Sequence, residues 1–189
     1  MISRPNQRVG VFLDAQNIYH SAKNLHKARV NFQELLKGAI AGRQLVKATA
    51  YVAKSDPSTG EESFFEALRQ AGFDLRVKDL QVYSDGAKKA DWDVGLAVDA
   101  MRLAPSLDVV VLITGDGDFV PLIEYIRQGL GRTVEAVAFL RTASRQLRDN
   151  VDFFKDLDSI PRALMPIGRG RSGNRGEQQR RKKTNNKVK

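Results

Sequence analysis

Short apolar runs along the chain alternate with longer segments in which apolar residues recur at helical spacing. Residues 9–13 (VGVFL) are β-branched and aromatic after a polar lead-in, which predicts a buried strand running into Asp14. Over 31–41, Phe32, Leu35, Leu36, Ala39 and Ile40 share one helical face, with Asn31 placed to cap it. Strand character returns at 45–53. Phe64, Phe65, Leu68 and Ala71 mark a helix over 59–71 that Gly72 is placed to end, and 73–77 and 80–83 predict strands. From Asp93, the residues Val94, Ala97, Val98 and Met101 mark a helix that Pro105 stops. The run 107–113 (LDVVVLI) is nearly continuously apolar, as in a strand covered on both faces. Helices over 118–128 and 142–148 flank a strand at 133–139.

The alternation of strand and helix predicts an α/β fold with a mostly parallel sheet, helices on both faces and right-handed crossovers. A chain of 189 residues suits one such domain with a short appendage. After residue 167 the apolar residues nearly vanish while Gly, Arg, Asn and Gln accumulate. The expected organisation is therefore a domain over 1–167 and a disordered basic tail over 168–189.

Charge sharpens this division. The tail holds nine Lys/Arg against Glu177 alone, so it carries +8 of the formal +9 and the body is close to neutral. Cysteine is absent, which excludes disulfides, thiolate zinc sites and cysteine nucleophiles and suits a reducing cytoplasm. No apolar run reaches the roughly 18–20 residues of a membrane span, and the N-terminus lacks a signal pattern. The expectation is a cytoplasmic protein with no membrane partner.

Candidate chemistry lies where strands end. In open parallel sheets functional groups collect at the carboxyl edge. The run VGVFL leads into Asp14, VVVLI leads into Thr114-Gly115-Asp116-Gly117-Asp118, and Asp91-Trp92-Asp93 opens the helix before that second strand. Converging carboxylates repel one another unless a cation neutralises them, and an oxygen-only donor set suits Mg²⁺ or Mn²⁺. Each acid also has a plainer reading. Asp14 can cap the following turn, TGDGDF can be a glycine-rich turn with Asp118 as cap, and Asp91 can cap the helix that Asp93 enters. Residues two apart do not share a helical face, so only one of Asp91 and Asp93 is expected to point into a common pocket.

The ordered motifs FLDAQN, DWDVGLAVDAM and TGDGDFVPLI resemble the NYN domains of the LabA-like group, relatives of PIN-domain nucleases. The resemblance runs over about residues 8 to 157 and ends in a segment where Ser144, Leu147, Asp152 and Phe154 match an S-x-x-L…D-x-F pattern. It implies a Rossmann-like, PIN-type three-layer fold and a metal-dependent ribonuclease site. Asp14, Asp93, Asp116 and Asp118 fall on its acidic positions, with Asp91 as an additional acid that can serve as ligand in place of Asp93. Asn17 matches a D-x-x-N pattern and either orients a ligand or caps a helix. Asp99 matches the family motif too, but lies six residues from Asp93, off its helical face, so its role stays open, with a structural contact the favoured reading.

For the polymer itself, Lys88, Lys89, Arg141 and Arg145 lie near motif edges where phosphate would pass, and Arg180, Arg181, Lys182 and Lys183 give the tail a phosphate-binding run. Trp92 either stacks on a base or packs, and packing is favoured. His20 and His26 make a poor metal pair. Competing readings are an RNA- or protein-binding regulatory module without turnover, and a small-molecule phosphohydrolase, although Asp14 is followed by Ala15, Gln16 and Asn17 rather than by a D-x-D-x-T pattern. No P-loop or dinucleotide fingerprint follows a strand. The sequence leaves a homo-oligomer open without indicating one.

Overall fold

The computed structural model describes residues 4–54, 61–79, 81–82, 88–89 and 92–166, with backbone alone at 79, 81–82 and 88–89. In chain order the strands and helices are β1 (Arg8–Asp14), α1 (Ala15–His26), β2 (Ala28–Val30), α2 (Phe32–Ile40), β3 (Gln44–Lys54), α3 (Glu61–Gln70), β4 (Asp74–Asp79), β5 (Gln81–Val82), β6 (Lys88–Lys89) and α4 (Asp93–Leu103). They continue with β7 (Val109–Ile113), α5 (Val120–Glu124), β8 (Thr133–Ala138), α6 (Arg145–Asn150), β9 (Phe153–Asp156) and β10 (Leu164–Pro166).

Six strands form one all-parallel sheet in the order β4-β3-β1-β7-β8-β9. Strand residues alternate between two cores. Val9, Val11, Leu13, Val109, Val111 and Ile113 face α1, α2 and α3 on one side. Phe12, Val110 and Leu112 face α4 and α5 on the other. This is why 9–13 and 109–113 are apolar at consecutive positions: both faces of these central strands are covered. The architecture is a three-layer α/β sandwich consistent with a PIN-like fold.

The strand order also locates a crevice. From β1 the chain builds outward through β3 and β4, then returns to lay β7, β8 and β9 on the opposite side of β1. The order therefore reverses between β1 and β7, and the space beyond their carboxyl ends is where ligands bind in open α/β sheets.

Several expectations are refined. The helix expected over 118–128 is three pieces: a 3₁₀ turn at Gly117–Phe119, then α5, then a π turn at Tyr125–Gly129. Within the strand expected at 80–83, the described residues 81–82 form β5, which pairs antiparallel with β6 outside the main sheet, and 80 and 83 lie outside the described residues. The helix expected from 142 begins at Arg145, with Ser144 at its cap position. Two elements not among those expected join the fold: α1, which buries only Ala15, Ile18 and Ala22, and β9, a partly exposed edge strand.

One buried ion pair braces the body. Arg43 donates both Nη1 and Nη2 to Glu135 at 2.8 Å each, and also donates to the carbonyls of Ala39 and Ile40 at the end of α2. Its side chain is 3% exposed, so this pair satisfies donors that water cannot reach.

Candidate functional site at the carboxyl edge

Each expected acid reaches the edge by a simple route. Asp14 is the last residue of β1, one step past the Leu13–Ile113 pairing that fixes β1 against β7. The segment 114–118 leaves β7 at the same level. Because α4 precedes a parallel strand, it runs back across the sheet and starts at this edge, which brings Asp93 there in its first turn. Asp91 lies outside the described residues.

A chain of hydrogen bonds ties the first two acids together. Asp14 Oδ1 accepts from the Asn17 N–H at 3.1 Å, and its Oδ2 accepts from Thr114 Oγ1 at 3.3 Å. Thr114 Oγ1 in turn accepts from the Asp116 N–H at 3.2 Å, and Asp116 Oδ1 accepts from the Asp118 N–H at 3.0 Å. Asn17 Oδ1 accepts from the Gly115 N–H at 3.0 Å. Gly115 is closely packed, since a Cβ would meet Ala143 Cα at 3.2 Å, tighter than ordinary van der Waals contact.

The plainer readings hold in part. Asp14 does cap α1, and the turn is capped by Asp116, two residues before the exposed Asp118 that occupies its first turn. The Asn17 side chain is not that cap and instead ties α1 to the loop after β7. At the start of α4 the cap position belongs to Trp92, which makes no side-chain cap bond. Trp92 packs: its Nε1–H donates to the Val52 carbonyl at 2.9 Å, its ring meets Tyr51 edge-on, and a Cβ at Gly95 would lie 2.5 Å from it. Asp99 accepts from the Tyr51 hydroxyl and pairs with Arg76, a structural contact that, with burial as the larger cause, raises the Tyr51 hydroxyl well above its ordinary pKa.

Burial pushes the Asp14 carboxyl above the usual carboxylate range. The Asn17 N–H and the Thr114 hydroxyl pull it down, and the negative Asp116 raises it further. Among the described residues no Lys, Arg or His forms an ion pair with Asp14, Asp116 or Asp118. Asp14, Asp116 and Asp118 thus present oxygen donors with no basic ion-pair partner among the described residues, a set that chemically fits a hard divalent cation. As they stand, no three Asp, Glu or His side chains among the described residues are grouped to enclose an ion.

The expected phosphate contacts divide by position. Arg141 is exposed, and Arg145 is exposed with a loose pair to Asp149 at 3.3 Å. Both flank the segment that packs on the acid loop. Lys88 and Lys89 form β6, described by its backbone; Arg180, Arg181, Lys182 and Lys183 lie outside the described residues. His26 pairs with Asp158 at 2.9 Å. Two residues lie within the matched motifs without a site role expected of them: Thr114, fully buried as a polar residue, and Ser144, part of the acid loop's wall. A hydroxyl residue closing an otherwise apolar strand was the available signal for Thr114.

Comparison with known proteins agrees with this geometry. The NYN domain family model matches residues 8–158. The chain belongs to the NYN domain family. Such domains are generally assigned as nucleases, typically with divalent metals and RNA. The chain is 27% identical over 170 residues to the Low amplitude and bright protein LabA of Synechococcus elongatus, covering 85% of this chain and 88% of that protein. It also superimposes on the crystal structure of a protein of unknown function from Vibrio parahaemolyticus with a TM-score of 0.78 and 30% identity, covering 87% of this chain and all of that one. No helix among the described residues is long and apolar enough to cross a membrane.

Proposed function

We propose that this NYN domain is a cytoplasmic metal-dependent endoribonuclease in which Asp14, Asp93, Asp116 and Asp118 hold Mg²⁺ or Mn²⁺. The observation that carries the reading is the desolvated Asp14, paired with no basic side chain among the described residues and set beside Asp116 at the point where the strand order reverses. A divalent ion there supplies positive charge for an attacking water and for the departing oxygen of a phosphodiester. The chain's own residues do the positioning. Thr114 and Asn17 fix the orientation of Asp14 and of the 115–118 loop, and Arg141 and Arg145 flank the path of the phosphates. The tail over 168–189 adds non-specific attraction for the polymer.

The test is metal-dependent cleavage of a mixed RNA pool by wild type and Asp116→Asn. Removing even a residue that only supports a metal ligand costs about 10–100-fold in activity or metal affinity, so removing a ligand is expected to cost at least that. Equal rates in the two proteins would overturn the reading. One observation favours a binding module without turnover instead: no trio of ligands is grouped in advance among the described residues. That alternative predicts RNA binding in both proteins and cleavage in neither.

A further inference from the structure

Ser144 occupies the cap position of α6, where a serine ordinarily accepts a hydrogen bond from a backbone N–H one turn ahead. Here its side chain makes no cap bond, and its Oγ has no other partner among the described residues. Its backbone is nevertheless fixed, because the Ser144 N–H donates to the Gly115 carbonyl at 2.8 Å. The hydroxyl lies over Gly117, between the two acids of the loop: a Cβ added at Gly117 would sit 2.6 Å from Ser144 Oγ. Thus a donor held against the Asp116–Asp118 loop is not used by the protein itself.

We propose that Ser144 is a substrate-positioning residue whose Oγ–H donates to a phosphate oxygen of RNA lying along the Asp14–Asp116–Asp118 edge. The inference rests on the ribonuclease reading of this edge. A hydroxyl suits the position because it can donate to an anionic oxygen without neutralising the neighbouring carboxylates, as a lysine or arginine there would, and Ser and Thr are ordinary phosphate contacts. Arg141 and Arg145, exposed on either side, supply charge along the same path, whereas Ser144 supplies direction next to the acids.

The experiment compares full-length wild type, Ser144→Ala and Ser144→Thr for binding a single-stranded 2′-O-methyl oligoribonucleotide in magnesium. Ionic strength of about 0.3 M screens the tail. Melting temperatures are measured alongside. The expected result is an affinity about ten- to a hundredfold weaker for Ser144→Ala, near wild type for Ser144→Thr, with unchanged melting. The slope of log affinity against log salt stays constant for Ser144→Ala, because no charge is removed, and falls for Arg141→Ala. If Ser144→Ala binds as wild type does, or if it weakens with a lowered melting temperature that Ser144→Thr does not restore, the positioning role is overturned while the ribonuclease reading stands. Wild type that fails to bind the oligomer overturns both.

Discussion

Thr114 Oγ1 donates to Asp14 Oδ2 at 3.3 Å while accepting the Asp116 N–H at 3.2 Å, so one hydroxyl on the segment leaving β7 sets the distance between an acid on β1 and an acid in the loop. Both bonds are part-buried and Thr114 itself is fully buried, which leaves little water to substitute for the hydroxyl. Asp14 is therefore placed by β1, and Asp116, in the loop, is tied to it through a buried residue at the end of β7.

Thr114→Val keeps the shape of the side chain and removes both bonds. The Asp116 N–H is then left without its acceptor, at a cost of about 1–3 kcal/mol of stability. Metal-dependent activity should fall about 10–100-fold, the range seen when a residue supporting a metal ligand is removed, and Thr114→Ser should recover most of it. Denaturant unfolding and cleavage rates check the two effects separately. Full activity in Thr114→Val would show that the hydroxyl only fills space.

Asp14→Asn tests the charge. A folded-state pKa raised above the ordinary 3.8 means that the fold holds the proton more tightly than the unfolded chain does. Stability from this group is therefore greatest below that value and declines as pH rises through the folded pKa. Asparagine keeps the cap acceptor for the Asn17 N–H and carries no charge to desolvate. The variant should melt no lower than wild type at pH 7, its advantage should vanish toward pH 4, and metal-dependent cleavage should be abolished. A drop of several degrees at pH 7 would make Asp14 a structural residue.

Much of this was legible in the sequence, for physical reasons. The central strands stood out because both faces are covered, and their terminal acids were plain against that apolar background. The polar helix α1 was not. It buries only Ala15, Ile18 and Ala22, and it stops at Lys27 in the left-handed region (φ 49°) where a glycine would have signalled the end. The part-exposed edge strand β9 gave no continuous apolar run either. Asn17 owes its place to the loop after β7, 98 residues away along the chain, and Ser144 owes its place to the same loop, which no local pattern encodes.

The Arg43–Glu135 pair makes an opposite kind of prediction, about stability alone. Arg43→Ala strands the Glu135 carboxylate in a buried setting and should cost about 3–5 kcal/mol, whereas replacing both residues, as in Arg43→Met with Glu135→Leu, should cost far less. A double-mutant cycle by chemical denaturation measures the coupling. Additive effects would mean that the carbonyl contacts of Arg43 at the end of α2, not the ion pair, dominate.

The tail separates recognition from chemistry. Residues 168–189 carry nine of the chain's Lys/Arg residues and none of the edge acids. Deleting them should weaken RNA binding and flatten its salt dependence, by about 0.7 in the slope of log affinity against log salt for every single-strand phosphate that the tail had neutralised. Cleavage at saturating RNA should survive, because Asp14, Asp116, Thr114 and Asn17 are held by the sheet and by one another. Affinity titrations of full-length and truncated protein at several salt concentrations give the slope directly. An unchanged slope would place recognition on the body, through Arg141, Arg145 and the β6 lysines, and reduce the tail to a solubilising appendage.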